Sequence, residues 1–242
     1  MTSEPPAGVF ITFEGGEGAG KSTQIARLAA RLRAEPGTAA APAREVVTTR
    51  EPGGTPRAEA LREAVLAGVA KPYGPFAEAL LFSAARIDHL DRLIRPALAR
   101  GAIVLCDRFA DSTRAYQGAA DGLEPGVLAA LERVVVGPTR PGLTLILDLP
   151  AETGLARARA RSMAQAAAEG AAADRFEAET LGFHERLRAA FLAIAEAEPA
   201  RCAVVDASPD ADAVASAVAA AVAARMPGLL PDLSGGSRDH AA

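Results

Sequence analysis

Gly15-Gly16-Glu17-Gly18-Ala19-Gly20-Lys21-Ser22 stands just after the apolar run Val9–Phe13 and just before a helical pattern that begins near Ile25. It satisfies G-x-x-x-x-G-K-[ST], and few short patterns restrict a fold as tightly. A strand must end in a glycine-rich turn whose backbone N–H groups face inward, and a helix must begin where they converge. A match by accident in a chain of this composition is expected about once per thousand such chains, and the strand–loop–helix context lowers that further. Lysine usage agrees: Lys21 and Lys71 are the only lysines beside 24 arginines, so a compact ammonium stands where the planar guanidinium would not fit. The octapeptide reads as a phosphate-binding loop, a P-loop. Gly15 to Thr23 would present donors to ATP, Lys21 would reach the β- and γ-phosphates, and the Ser22 hydroxyl would serve Mg²⁺.

The rest of the chain fits that frame. Five short, nearly continuous apolar runs (Val9–Phe13, Glu45–Thr49, Ile103–Cys106, Leu143–Leu147 and Cys202–Val205) read as strands covered on both faces. Helical spacing separates them: Ile25, Leu28, Ala29, Leu32; then Ile87, Leu90, Ile94, Ala97; then Phe176, Phe183, Leu187, Phe191, Ile194; and a thin stripe of Val214, Val218, Val222. The expected fold is α/β: a three-layer P-loop core with a five-stranded parallel sheet, helices on both faces and a lid segment. Residues 1–8 are expected to be a flexible N-terminus, 9–225 the domain with a lid over about 157–175, and 226–242 a loose tail. The Ala-rich stretch Ser162–Ala173 reads as either a helical extension or a mobile loop.

Composition narrows the function class. A net charge of −4 over 242 residues supplies no basic field for nucleic acid. Cys106 and Cys202 are too few for a disulfide scaffold or structural zinc and read as packed thiols, while His89, His184 and His240 form no cluster. Met1–Gly8 lacks the pattern of a signal peptide, and Ala211–Ala224 is too short to span a bilayer, so the expected location is cytoplasmic and no membrane partner is expected. No N-K-x-D guanine motif is present, which argues against a GTPase.

Further segments carry chemistry. Asp107-Arg108 ends a strand at the edge where open α/β sheets bind ligands. Asp107 could hold Mg²⁺ through water and Arg108 could clamp a phosphate, or the two could be a surface ion pair. Phe82 and Arg86 lie four apart on one helix face; on spacing alone Phe82 reads as core and Arg86 as solvated. Arg157, Arg159 and Arg161 precede the Ala-rich stretch and Arg175 follows it, a charge run that is usually a solvated face.

In order, Phe13-Glu14-Gly15, Thr49-Arg50-Glu51-Pro52-Gly53-Gly54-Thr55, Leu80–Arg86, Asp107-Arg108-Phe109, Ala115-Tyr116-Gln117-Gly118, Arg140–Asp148 and Asp174-Arg175-Phe176-Glu177 resemble the bacterial thymidylate kinases (dTMP kinases), over about Val9 to Val222. The resemblance implies transfer of the ATP γ-phosphoryl group to dTMP with Mg²⁺ and, commonly in the family, a homodimer. It implies that Arg108 grips the dTMP phosphate, that Phe82 stacks on thymine and that Arg86 reaches a carbonyl oxygen of the base. It also implies that Thr113 touches the ring, with Gln117 a further base contact, and that Tyr116 lies beside the sugar and disfavours a 2′-hydroxyl. Pro52 packs at the acceptor and Glu17 faces the acceptor's 3′-hydroxyl region, or is simply a solvated loop acid. None of Gly16, Glu17, Gly18 and Ala19 is basic, so the chain resembles the family members whose transition-state cation comes from the lid, here Arg161 or Arg175, with Arg157 against adenine. The stretch Ser162–Ala173 is longer than the family's lid turn, and Arg114 stands where the family often has a small or amide residue, with no role to assign. The alternatives are a deoxynucleoside kinase, another nucleoside monophosphate kinase, or a P-loop module that binds ATP without turnover.

Overall fold

The computed structural model describes residues 7–35, 43–169 and 175–230. Five strands, β1 (Val9–Glu14), β2 (Val46–Arg50), β3 (Ile103–Asp107), β4 (Leu143–Asp148) and β5 (Cys202–Asp206), form one sheet in the order β2-β3-β1-β4-β5, every neighbouring pair parallel. All five carboxyl ends therefore meet at one edge. Each strand runs one residue beyond the expected end, and β2 also starts one later, because the terminal residues still pair: Arg50 opposite Asp107, Asp148 opposite Asp206.

Alternation along the strands builds two cores. Ile11, Phe13, Leu105 and Leu145 face α1 (Lys21–Ala34) and α9 (Ala211–Arg225), meeting the stripes Ile25–Leu32 and Val214–Val222. Phe10, Val104 and Cys106 face the opposite side, where α3 (Gly74–His89) continues through a π-helical turn (Leu90–Ile94) into α4 (Arg95–Ala99). Beyond β4 on that side lies α8 (Leu181–Ala197), whose Phe183, Leu187 and Phe191 close on Tyr116 and Ile146. Leu105 and Leu187 are fully buried, and truncating either to Ala would cost about 2–5 kcal/mol.

Three expectations are corrected. Ile87 does not lie on the inward stripe; it is 45% exposed while Leu90, Ile94 and Ala97 are buried, because the inward position one residue earlier is taken by Arg86 and its buried ion pair. Phe176 is not part of the helix holding Phe183; it sits on a short 3-10 turn (Arg175–Ala178), edge-on to Tyr116. Met226, Leu229 and Leu230, taken as the start of a loose tail, pack on the core around α9, since burying three apolar side chains holds the chain down. The Ala-rich stretch is helical as far as Glu169, the end of α7 (Ala151–Glu169); positions 170–174, the rest of the tail and the first six residues lie outside the described residues. Arg114 ion-pairs with Asp111 and Glu198, tying α5 (Ala110–Thr113) and the π-helical turn Arg114–Ala120 to the C-terminal end of α8.

Candidate active site

The P-loop leaves β1 at Glu14 and enters α1 through Gly20, whose φ of 84° places it in the left-handed region. Four helices here cap their first N–H groups with a side chain: Thr55 for α2 (Pro56–Leu66), Glu124 for α6 (Pro125–Val135), Thr180 for α8 and Asp210 for α9. α1 begins with no side-chain cap, so its first-turn donors and the positive end of its dipole are left for a phosphate. Gly18 is required by close approach: a Cβ there would come within 2.1 Å of the Gly154 carbonyl on α7. Gly154 is as constrained, facing the Glu17 carbonyl, and nothing in its own local sequence pointed to it.

Lys21 Nζ donates to the Gly15 and Gly16 carbonyls at 3.1 and 2.8 Å, holding the ammonium across the loop mouth. Burial, then the neighbouring Arg108 charge, lower its pKa to about 8. Ser22 Oγ donates to Asp107 Oδ2 at 2.6 Å, joining the loop after β1 to the end of β3. Arg108, the next residue, has φ 66°, a conformation that costs a non-glycine residue roughly 1–2 kcal/mol. Its N–H donates to the Phe13 carbonyl, and Glu14, fully buried, accepts from Phe109 N–H, Ser112 N–H and the Ser112 hydroxyl to hold the turn that follows. Burial first, then Asp111 nearby, raise the Glu14 carboxyl to about 7.

Glu17 does not project into solvent. Arg108 Nη2 and the Tyr116 hydroxyl both donate to its Oε1, at 2.7 and 2.6 Å. Burial alone would raise its pKa, but Arg108, then Lys21 and the Tyr116 bond, bring it down to about 2. Opposite, Arg86 is buried rather than solvated: Nε donates to Glu51 at 2.6 Å, and Nη2 to the Phe109 carbonyl and Thr113 Oγ1. Gln117, also buried, lies 3.4 Å from Glu78.

One cavity of about 450 Å³ at the carboxyl edge of the sheet takes in these groups. Glu17, Pro52, Phe82, Arg86, Arg108, Thr113, Tyr116 and Gln117 all line it, beside Gly18, Gly20, Lys21, Ser22, Thr23, Asp107 and Arg161. Gly15, Gly16 and Ala19 are not among the residues that line it. Arg157 lies outside: it donates to the Ala207 and Ser208 carbonyls at 2.9 and 3.0 Å, tying α7 to the loop after β5. Arg175 opens its 3-10 turn, and its side chain is outside the described residues. Such a cavity can hold two phosphorylated ligands, one at the α1 N-terminus and one against Arg108, with an aromatic ring and a fixed guanidinium at its far end.

The family model for thymidylate kinase matches residues 13–218. The chain belongs to the thymidylate kinase family. A thymidylate kinase of Caulobacter vibrioides is 59% identical over 206 residues, 85% of this chain and 91% of that protein. One from Nitrobacter winogradskyi is 56% identical over 206 residues, covering 85% and 84%. The crystal structure of thymidylate kinase from Ehrlichia chaffeensis superposes with a TM-score of 0.66 at 32% identity, over 88% of this chain and 97% of that one. In this thymidylate kinase, sequence reasoning left Glu14 and His89 without roles. Glu14 and Glu51 stood inside the quoted Phe-Glu-Gly and Arg-Glu-Pro motifs, but only the fold shows what each carboxylate holds.

Proposed function

We propose the following roles for the residues around the cavity. The chain phosphorylates dTMP at the expense of ATP, giving dTDP and ADP. Lys21 and the first turn of α1 bind the ATP phosphates. Arg108 clamps the acceptor phosphate. Phe82 stacks on thymine, Arg86 donates to a ring carbonyl, and Thr113 and Gln117 complete the base contacts. Tyr116 stands at the sugar, Glu17 at its 3′-hydroxyl side, and Pro52 packs beside it. Arg161, on the cavity wall, neutralises charge that builds on the transferring phosphoryl group, with Arg175 the second candidate for that role and Arg157 on the adenine side. Transfer is direct, in line, and needs no covalent enzyme intermediate.

The Ser22 hydroxyl and Asp107 carboxylate, 2.6 Å apart at the loop mouth, are hard oxygen donors of the kind Mg²⁺ takes, Asp107 through water. Bound there, Mg²⁺ would offset the negative charge of the ATP phosphates.

The reading includes a homodimer. It is supported by α3, whose Phe76, Leu80, Ala84 and Ile87 share one exposed apolar face. A cytoplasmic location belongs to the same proposal and rests on the substrates; among the described residues no helix is long and apolar enough to cross a membrane.

The observation that carries the assignment is that the loop for the donor, the arginine for the acceptor phosphate and the pair for the base line one cavity. A coupled ADP-release assay over dTMP, dUMP, UMP, dCMP, AMP and thymidine tests it. Preferred turnover of dTMP is expected; turnover of thymidine without dTMP would make the chain a nucleoside kinase.

A further inference from the structure

We infer that His89 is a positioning residue for the nucleobase, acting through Glu51 to fix the guanidinium of Arg86; this rests on the assignment of Arg86 to a ring carbonyl of thymine. The three side chains are 0%, 4% and 5% exposed, and with Thr49 they form an unbroken line. Thr49 Oγ1 lies 2.7 Å from His89 Nε2, His89 Nδ1 lies 3.1 Å from Glu51 Oε1, and Arg86 Nε donates to Glu51 Oε2 at 2.6 Å.

The direction of each bond follows from its chemistry. A carboxylate paired with Arg86 accepts, so His89 Nδ1 carries a proton and gives it to Glu51, and in the Nδ1–H tautomer Nε2 accepts from the Thr49 hydroxyl. Glu51 is then held at both oxygens by groups that cannot both follow a rotation of its carboxylate. Arg86 is held along two edges, Nε by Glu51 and Nη2 by Phe109 and Thr113, which leaves Nη1 uncommitted among the described residues and its direction set. Removing the His89 N–H frees one carboxylate oxygen, and with it the plane of the guanidinium.

The far end of the line is sealed by backbone. Gly54, at φ 85°, packs so closely that a Cβ would fall 2.5 Å from Thr49 Oγ1 and 2.6 Å from His89 Nε2. Water that could replace the Thr49 bond has no room there.

The test compares His89→Ala, His89→Asn, His89→Gln and Thr49→Val by initial-rate kinetics with dTMP, ATP, and two dTMP analogues that each lack one ring carbonyl. Loss of one hydrogen bond to a charged group corresponds to a rise in the dTMP KM of about tenfold in His89→Ala. The ATP KM and kcat should stay within about twofold, as expected when only ground-state orientation of the base is lost. The Asn amide nitrogen reaches the place of Nδ1 and should restore a near wild-type dTMP KM. The Gln amide reaches the place of Nε2 and should behave as His89→Ala, and Thr49→Val should fall between. Wild-type enzyme should prefer dTMP to one analogue, and His89→Ala should lose that preference. Equal KM values for the Asn and Gln variants, a joint rise of the dTMP and ATP constants, or an unchanged dTMP KM in a folded His89→Ala would overturn the inference. Should His89→Ala not fold, the contrast between Asn and Gln decides alone. Wild-type enzyme that treats both analogues as dTMP would instead remove the Arg86 assignment.

Discussion

Arg108 and Glu17 meet at 2.7 Å across the mouth of the P-loop, so the guanidinium assigned to the acceptor phosphate is seated by a carboxylate of the donor loop. Arg108→Ala removes a phosphate clamp and that carboxylate's counter-charge together. The dTMP KM should rise far more than the ATP KM, by about 1.5–3 kcal/mol for each strong charge-assisted bond lost. An unchanged dTMP KM in steady-state kinetics would move Arg108 out of the acceptor site.

Lys21 predicts a split between two pH profiles. Its free-enzyme pKa of about 8 means the ammonium is lost as pH rises through that value, so kcat/KM for ATP should fall above about pH 8. In the complex, phosphate charge favours the ammonium, and kcat should hold to higher pH. Lys21→Ala should abolish transfer with the circular dichroism spectrum unchanged. Profiles of kcat and kcat/KM that fall together would mean that ATP does not meet this ammonium.

Glu14 ties stability to pH in the opposite sense from most carboxylates. Its folded-state pKa, about 7, lies above the ordinary 4.5, so its stabilising contribution is complete below pH 4.5 and lost as pH rises through 7. Glu14→Gln keeps the acceptor for Phe109 and Ser112 and cannot ionise. Its melting temperature should gain on wild type between acid and alkaline buffer, by up to about 3 kcal/mol in stability. Parallel melting curves across that range would show that Glu14 is ionised in the fold.

Arg161→Ala should cut the chemical step about 10³-fold or more, as loss of an arginine finger does, with little change in dTMP affinity by calorimetry. Normal turnover in both Arg161→Ala and Arg175→Ala would remove these two arginines from the mechanism.

The strands were legible because apolar runs bounded by turn residues survive any tertiary context, and the P-loop because its function is written in consecutive residues. Arg86 was misjudged by spacing alone for a physical reason: a charge is buried only when a partner is, and Glu51 lies 35 positions away. His89 was invisible for the same reason, since its two partners come from the end of β2 and the turn after it. Ile87 failed because α3 carries a charged inward face above the cavity and an apolar outward one, the reverse of what periodicity assumes.

Phe13 sits opposite Asp107 in the β1–β3 pairing, and the two phosphate grips grow from the next residues of these adjacent strands. Both phosphate grips are therefore seated on neighbouring strands about 4.8 Å apart, whereas Phe82 and Arg86, assigned to the base, stand on α3. A substitution on α3 can therefore alter the base contacts without touching the strands that seat the two phosphate grips.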